Sequence, residues 1–266
     1  MSELSGVTVV VTRPVHQAEK LCQRIEAGNG KVLRFPVIDI RPPENPQQCQ
    51  AQLVGLADYD LAIFVSSNAV DAAMAMLKTP QAWPTALPVA AVGKATARAI
   101  MKTPLPVPFV APEPFNSEAL LGLPELQKLD GKRILIFRGN GGRELLRNSL
   151  LEQGAQVEYI ECYQRVVSQT NTQPLYAAWE QERADTMPIV VTSNQGLQNL
   201  VSIVDKEHQP ALLASPLIVI SERAASLSAR LGFTQAPVVA TAANDDAVLA
   251  ALKTWVESGR KYDEKI

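Results

Sequence analysis

Two stretches of this chain put hydroxyl and amide groups where negative charge on a ligand could be received. Residues 61–70 read LAIFVSSNAV and residues 188–197 read PIVVTSNQGL. In each, a short apolar run leads into two hydroxyl residues and an Asn, Ser66-Ser67-Asn68 and Thr192-Ser193-Asn194, and then into helical spacing. Such a run predicts a buried parallel strand ending in a helix N-cap. The junction gathers unpaired N–H groups and the positive end of a helix dipole at one place, which suits a carboxylate or phosphate. Plain capping is the competing reading of either junction alone, because Ser, Thr and Asn are preferred N-caps.

Arginine stands at two further strand ends, Arg13 in VVVTRP and Arg138 in ILIFRGNGG. Either is placed for bidentate carboxylate or phosphate contacts, or is a surface charge. The Gly139-Asn140-Gly141-Gly142 run has neither G-x-G-x-x-G spacing nor the Lys-Ser/Thr of a Walker loop, so it reads as a tight turn. VAAVGKATA at 89–97 sets Gly93 and Thr96 at another junction, and ISER at 220–223 sets Ser221 and Arg223 at a fourth. Tyr163 brings a phenol, a packing group with a polar end.

Metal and disulfide chemistry find little support. Cys22, Cys49 and Cys162 are odd in number, far apart and form no C-x-x-C pair, and His16 and His208 have no ligand spacing. With 266 residues, two domains are the natural expectation. A formal charge of -2 argues against general nucleic-acid binding. Glu3 stands where a signal peptide would be basic, and no apolar run reaches membrane-span length, so a cytoplasmic protein without membrane contact is expected.

The elements that must position these residues alternate regularly. Apolar runs at 7–11, 32–40, 61–65, 89–92, 107–110, 133–137, 157–167, 189–191, 217–220 and 238–240 predict strands, with helical spacing between most of them. Pro36 places part of 32–40 on an edge or outside a sheet, and a helix is expected to be capped near Ser117. The pattern predicts an α/β protein with parallel sheets. It also repeats: 9–32 matches 134–157, 61–70 matches 188–197, 89–97 matches 217–225 and 110–121 matches 239–249. A repeat this long means two similar domains, with a ligand expected at the carboxyl ends of the strands.

The segments VTRP (11–14), FVSSNAV (64–70), AVGKATA (91–97), RGNGGRELL (138–146), YQR (163–165), VVTSNQGL (190–197) and ISERAA (220–225) together resemble the uroporphyrinogen-III synthases, over nearly the whole chain. The resemblance implies two flavodoxin-like α/β domains joined by a two-stranded linker, with a ligand cleft between them. On that scheme residues 1–34 and 168–266 form one domain, 42–156 the other, and 35–41 and 157–167 are the linker strands.

It also implies an enzyme of the hydro-lyase type, free of cofactor and metal. Such an enzyme cyclises the linear tetrapyrrole hydroxymethylbilane to uroporphyrinogen III, with loss of water and inversion of ring D through a spirocyclic intermediate. Tyr163 matches the candidate proton donor. Arg13, Ser66, Ser67, Asn68, Gly93, Thr96, Arg138, Gly139, Thr192, Ser193, Asn194, Ser221 and Arg223 are the expected substrate-binding set. A monomer is expected, in transient contact with the preceding and following pathway enzymes. One departure is Ala224, where many relatives have Thr. A non-catalytic binder or sensor of a small anion is the alternative, and a flavin or nucleotide domain a third reading.

Overall fold

A computed structural model describes residues 3–77, 79, 83–142 and 144–263, with side chains up to 259. In chain order the first elements are β1 (Thr8–Val11), α1 (Val15–Ala27), β2 (Lys31–Arg34), β3 (Ile38–Arg41), α2 (Pro46–Val54), β4 (Leu61–Phe64), α3 (Ser67–Met76), β5 (Val89–Ala91), α4 (Lys94–Ile100), β6 (Phe109–Val110) and α5 (Ser117–Leu121). Then follow β7 (Arg133–Gly139), α6 (Leu145–Glu152), β8 (Gln156–Val167), α7 (Gln173–Gln181), β9 (Ile189–Val191), α8 (Asn194–Ile203), α9 (Gln209–Ala214), β10 (Leu217–Val219), α10 (Glu222–Arg230), β11 (Val238–Val239) and α11 (Asp245–Asp263).

The chain folds as two compact units, Met1–Asp39 with Val166–Ile266, and Ile40–Arg165. The first holds a sheet in the order β11-β10-β9-β1-β2, with parallel pairing throughout. The second sheet runs β3-β8-β7-β4-β5-β6. The sequence repeat equates β7 with β1, β8 with β2, β4 with β9, β5 with β10 and β6 with β11. Strand for strand, β8-β7-β4-β5-β6 is therefore the same order as β2-β1-β9-β10-β11, the doubly wound 2-1-3-4-5 arrangement. The second sheet carries one additional edge strand, β3, where the chain enters it before passing to β4, the equivalent of β9.

Burial follows from patterning. Ala18, Leu21, Cys22 and Ile25 recur at helical spacing on α1 and pack with Val9, Val11, Val248 and Leu252. In the second unit Ala62 and Phe64 point into one cluster, where the Phe64 and Phe137 rings stack at 4.5 Å. Leu61 and Ile63 point into the other, with Ile136, Leu120 and Leu150. Both faces of the sheet are covered, as continuous apolar strands require.

Some local readings need revision. The stretch at 32–40 is two strands in two different sheets, not one. Pro36, with no N–H to give to a ladder, marks the break between them. The stretch at 157–167 falls within β8. It pairs with β7 from Arg133↔Gln156 to Gly139↔Tyr163, as a strand of the second sheet. Arg138 and Gly139 lie inside β7 rather than in the following loop, Asn116 and not Ser117 caps α5, and α9 was not anticipated.

Candidate functional site

In a doubly wound sheet, ligands bind beyond the strand carboxyl ends where the strand order reverses. In the second unit that point lies between β7 and β4, flanked by Gly139 and Ser66. Tyr163 is brought there by an irregularity in β8. Arg138 is opposite Glu161 and Gly139 opposite Tyr163, so Cys162 is an extra residue, a bulge. A bulge re-aims the side chain that follows it. Tyr163 is accordingly buried, at 6% exposure, with its ring over Gly139 and its hydroxyl oxygen 3.0 Å from Ser66 Oγ.

Gly139 has no room for a side chain: a β-carbon there would come within 2.6 Å of Tyr163 Cζ. Ser66 caps α3, its Oγ accepting the Ala69 N–H at 3.1 Å. Asn140 ties the strand end, its N–H donating to the Tyr163 carbonyl at 3.0 Å while its Oδ1 accepts the Arg165 N–H at 2.7 Å. Nothing in the G-N-G-G run signalled that role for Asn140.

The loop after Gly139 is folded around its own arginine, Arg138. Only 5% exposed, Arg138 donates from Nε to the Gly139 carbonyl at 3.2 Å, from Nη1 to Glu144 Oε1 at 2.9 Å, and from Nη2 to the Gly141 carbonyl. Its guanidinium also lies 4.4 Å from the centre of the Tyr159 ring. Gly141 and Gly142 have φ of 66° and 112°, and a β-carbon on Gly142 would meet Arg138 Nη2 at 2.8 Å. Only glycine suits that turn.

Tyr159 donates to Glu144 Oε2 at 2.8 Å. Burial, and then this bond, push the Tyr159 phenol up to about 12, while Tyr159 and Arg138 hold the Glu144 carboxyl below its usual range. Glu144 and Tyr159 were not picked out from the sequence. Arg143 lies outside the described residues. A pocket of about 270 Å³ opens beside Tyr163, lined by Glu44, Gln48, Gln52, Asn140 and Glu161 among others. Its lining, amide and acidic, does not suit carboxylate binding.

The other junctions of this unit present helix starts. Gly93 is the N-cap of α4 in extended conformation, whereas Thr96 is buried in the first turn at 4% exposure. Ser67 and Asn68 are half-buried in the first turn of α3.

The first unit repeats the architecture. At its reversal point, between β1 and β9, Thr12 Oγ1 donates to the Val190 carbonyl at 2.7 Å. Ser193 caps α8 by accepting the Gly196 N–H at 2.9 Å, and Ser221 caps α10 through the Ala224 N–H at 3.2 Å. Thr192 and Asn194 are half-buried beside that cap, and Arg223 is exposed. Asn244 caps α11 through the Ala247 N–H at 2.9 Å, and Arg13 pairs with Asp245 in the first turn of that helix. Ala224 is buried at 1% exposure.

Comparisons with known proteins agree on one family. A family model described as Uroporphyrinogen-III synthase HemD matches residues 19–250. The chain is 38% identical over 251 residues to the uroporphyrinogen-III synthase of Escherichia coli K12, covering 93% of this chain and 100% of that one. It is 37% identical over 254 residues to that of Salmonella typhimurium, with the same coverage. Among solved structures, uroporphyrinogen-III synthetase from Helicobacter pylori superimposes with a TM-score of 0.64 at 18% identity, over 94% of this chain and 100% of that one. A mutant Thermus thermophilus enzyme gives 0.61 at 18%, over 95% and 100%. At such identity these two speak for the fold.

Proposed function

The chain belongs to the uroporphyrinogen-III synthase family, and on that premise we propose that it closes hydroxymethylbilane to uroporphyrinogen III. The reaction is a carbon–oxygen lyase step. Hydroxide leaves ring A as water, the substituted carbon of ring D attacks to give a spirocyclic intermediate, and recombination inverts ring D. Two tasks fall to the protein: holding one folded shape of a flexible polycarboxylate, and giving a proton to the leaving oxygen.

The observation that carries this reading is the placement of Tyr163. A phenol is held at the reversal point of the second sheet by a bulge, a glycine and a serine. The junctions at Ser67-Asn68, Gly93, Thr192-Ser193-Asn194 and Ser221-Arg223 are read as carboxylate receivers. Each lies at a helix start, where the positive end of the helix dipole favours an anion. Arg13 belongs to this set, its charge balanced by Asp245 until substrate binds. We place the enzyme in the cytoplasm as a monomer in transient contact with the neighbouring pathway enzymes. Among the described residues no helix is long and apolar enough to cross a membrane.

The test is to supply freshly made hydroxymethylbilane and assign the product isomer chromatographically. The inverted isomer, formed faster than spontaneous closure, is expected. Only the unflipped isomer at the spontaneous rate would leave the chain as an anion binder.

A further inference from the structure

We propose that Ser66 and Gly139 are positioning residues that decide which way the Tyr163 proton points. This rests on the reading of Tyr163 as the proton donor. Among the described residues Ser66 Oγ has two hydrogen-bond partners, the Ala69 N–H at 3.1 Å and the Tyr163 hydroxyl at 3.0 Å. The amide can only donate, so it occupies a lone pair of Oγ and leaves the serine hydrogen to be given away. Turned toward Tyr163, that hydrogen makes Ser66 the donor and leaves the phenol hydrogen free for another acceptor. Gly139 keeps the two oxygens in register, since any β-carbon there would occupy the volume of the Tyr163 ring.

The proton then has a defined course. As the bond between carbon and hydroxyl oxygen breaks, the oxygen keeps the bonding pair and takes the Tyr163 hydrogen, leaving as water. The phenolate so formed accepts a hydrogen bond from Ser66 Oγ, backed by the N-terminal end of α3. Ring closure later releases one proton from the ring D carbon that forms the new bond, and the phenolate recovers it. Protons balance over the cycle. Ser66 is thereby moved from the set that holds substrate to the group that prepares Tyr163.

The experiment compares Ser66→Ala, Ser66→Thr, Ser66→Asp and Gly139→Ala, with Tyr163→Phe alone and combined with Ser66→Ala. Steady-state turnover of hydroxymethylbilane is measured with product isomers assigned. Ser66→Ala and Tyr163→Phe are each expected to lower kcat by about tenfold or more with KM nearly unchanged. The double variant is expected to be no worse than Tyr163→Phe. Thr, which keeps a hydroxyl, restores most of kcat. Asp, which can still cap α3 but has no hydrogen to give, does not.

Multiplying losses in the double variant would overturn the proposal, as would full kcat in Ser66→Asp or a change in KM alone. If Gly139→Ala folds, a kcat loss comparable to that of Tyr163→Phe is expected; unchanged kcat removes Gly139. If it does not fold, the Ser66 and Tyr163 variants decide. Should wild type give only the unflipped isomer, it is the function that fails, and should Tyr163→Phe alone be harmless, it is the donor role.

Discussion

Arg138 and Glu144 are joined across the loop that separates them, Nη1 to Oε1 at 2.9 Å, with the arginine side chain 6% and the glutamate side chain 49% exposed. The asymmetry says which partner the loop depends on. Removing Glu144 leaves a guanidinium that still has the Gly139 and Gly141 carbonyls. Removing Arg138 takes a donor from both carbonyls, of which that of Gly139 is on a buried residue. Arg138→Ala is expected to lower unfolding free energy by about 2–3 kcal/mol and Glu144→Gln by about 1 kcal/mol or less, hydrogen bonds to charged groups being the stronger kind. Urea unfolding midpoints check this, and equal losses would contradict it.

Stability should fall on the alkaline side. Burial first, and then an accepting carboxylate, push the Tyr59 and Tyr159 phenols up to about 12, and burial takes the Cys162 thiol to about 12. In the unfolded chain these groups ionise near ordinary values, roughly 10 for Tyr and 8.5 for Cys. Between the unfolded and folded values the unfolded state holds fewer protons, so stability is fully present at neutral pH and is lost as pH rises toward about 12. Tyr159→Phe should make the decline above pH ~10 shallower. Unfolding free energy measured against pH reads both effects.

The three thiols should be silent in the native protein. Cys22, Cys49 and Cys162 are all free and buried, and burial raises each thiol above its ordinary value. The thiolate is the reactive form, so alkylation near neutral pH should label none of them until denaturant is added. Rapid native labelling of Cys162, followed by mass spectrometry, would contradict the packing described.

Ser193→Ala and Ser221→Ala each remove an N-cap bond and should cost about 1 kcal/mol of stability. If their junctions hold carboxylates, both should raise KM more than they lower kcat. That is the reverse of the pattern expected for Ser66→Ala.

How far these features were legible in the sequence depended on their range. The caps at Ser66, Ser193 and Ser221 are local, a hydroxyl and the amide three residues on, and the sequence carries them in full. Which strands of the two sheets correspond was implicit in the repeat, β3 excepted, but not the order in which they lie side by side. The break at Pro36 was half visible: proline announced an interruption, but which sheet β3 would join depends on the distant β8. The bulge at Cys162 left no local mark, because it exists only in the register against β7. Arg138 was half legible for a related reason. Its place at a strand end was read correctly, while the direction of its side chain was set by Gly141, Gly142 and Glu144.

The topology also sets a timetable for synthesis. Unit Ile40–Arg165 is one uninterrupted segment, complete as soon as its last residue has left the ribosome. The other unit starts first and finishes last, because the β9 edge of β1 meets its partner only when Val10 can pair with Ile189. Until then the strand TVVV waits with one ladder unfilled while a whole neighbouring unit is made. Nascent chains therefore pass through a stage in which the inserted unit is finished and its host is open, and that stage is where a chaperone has most to protect.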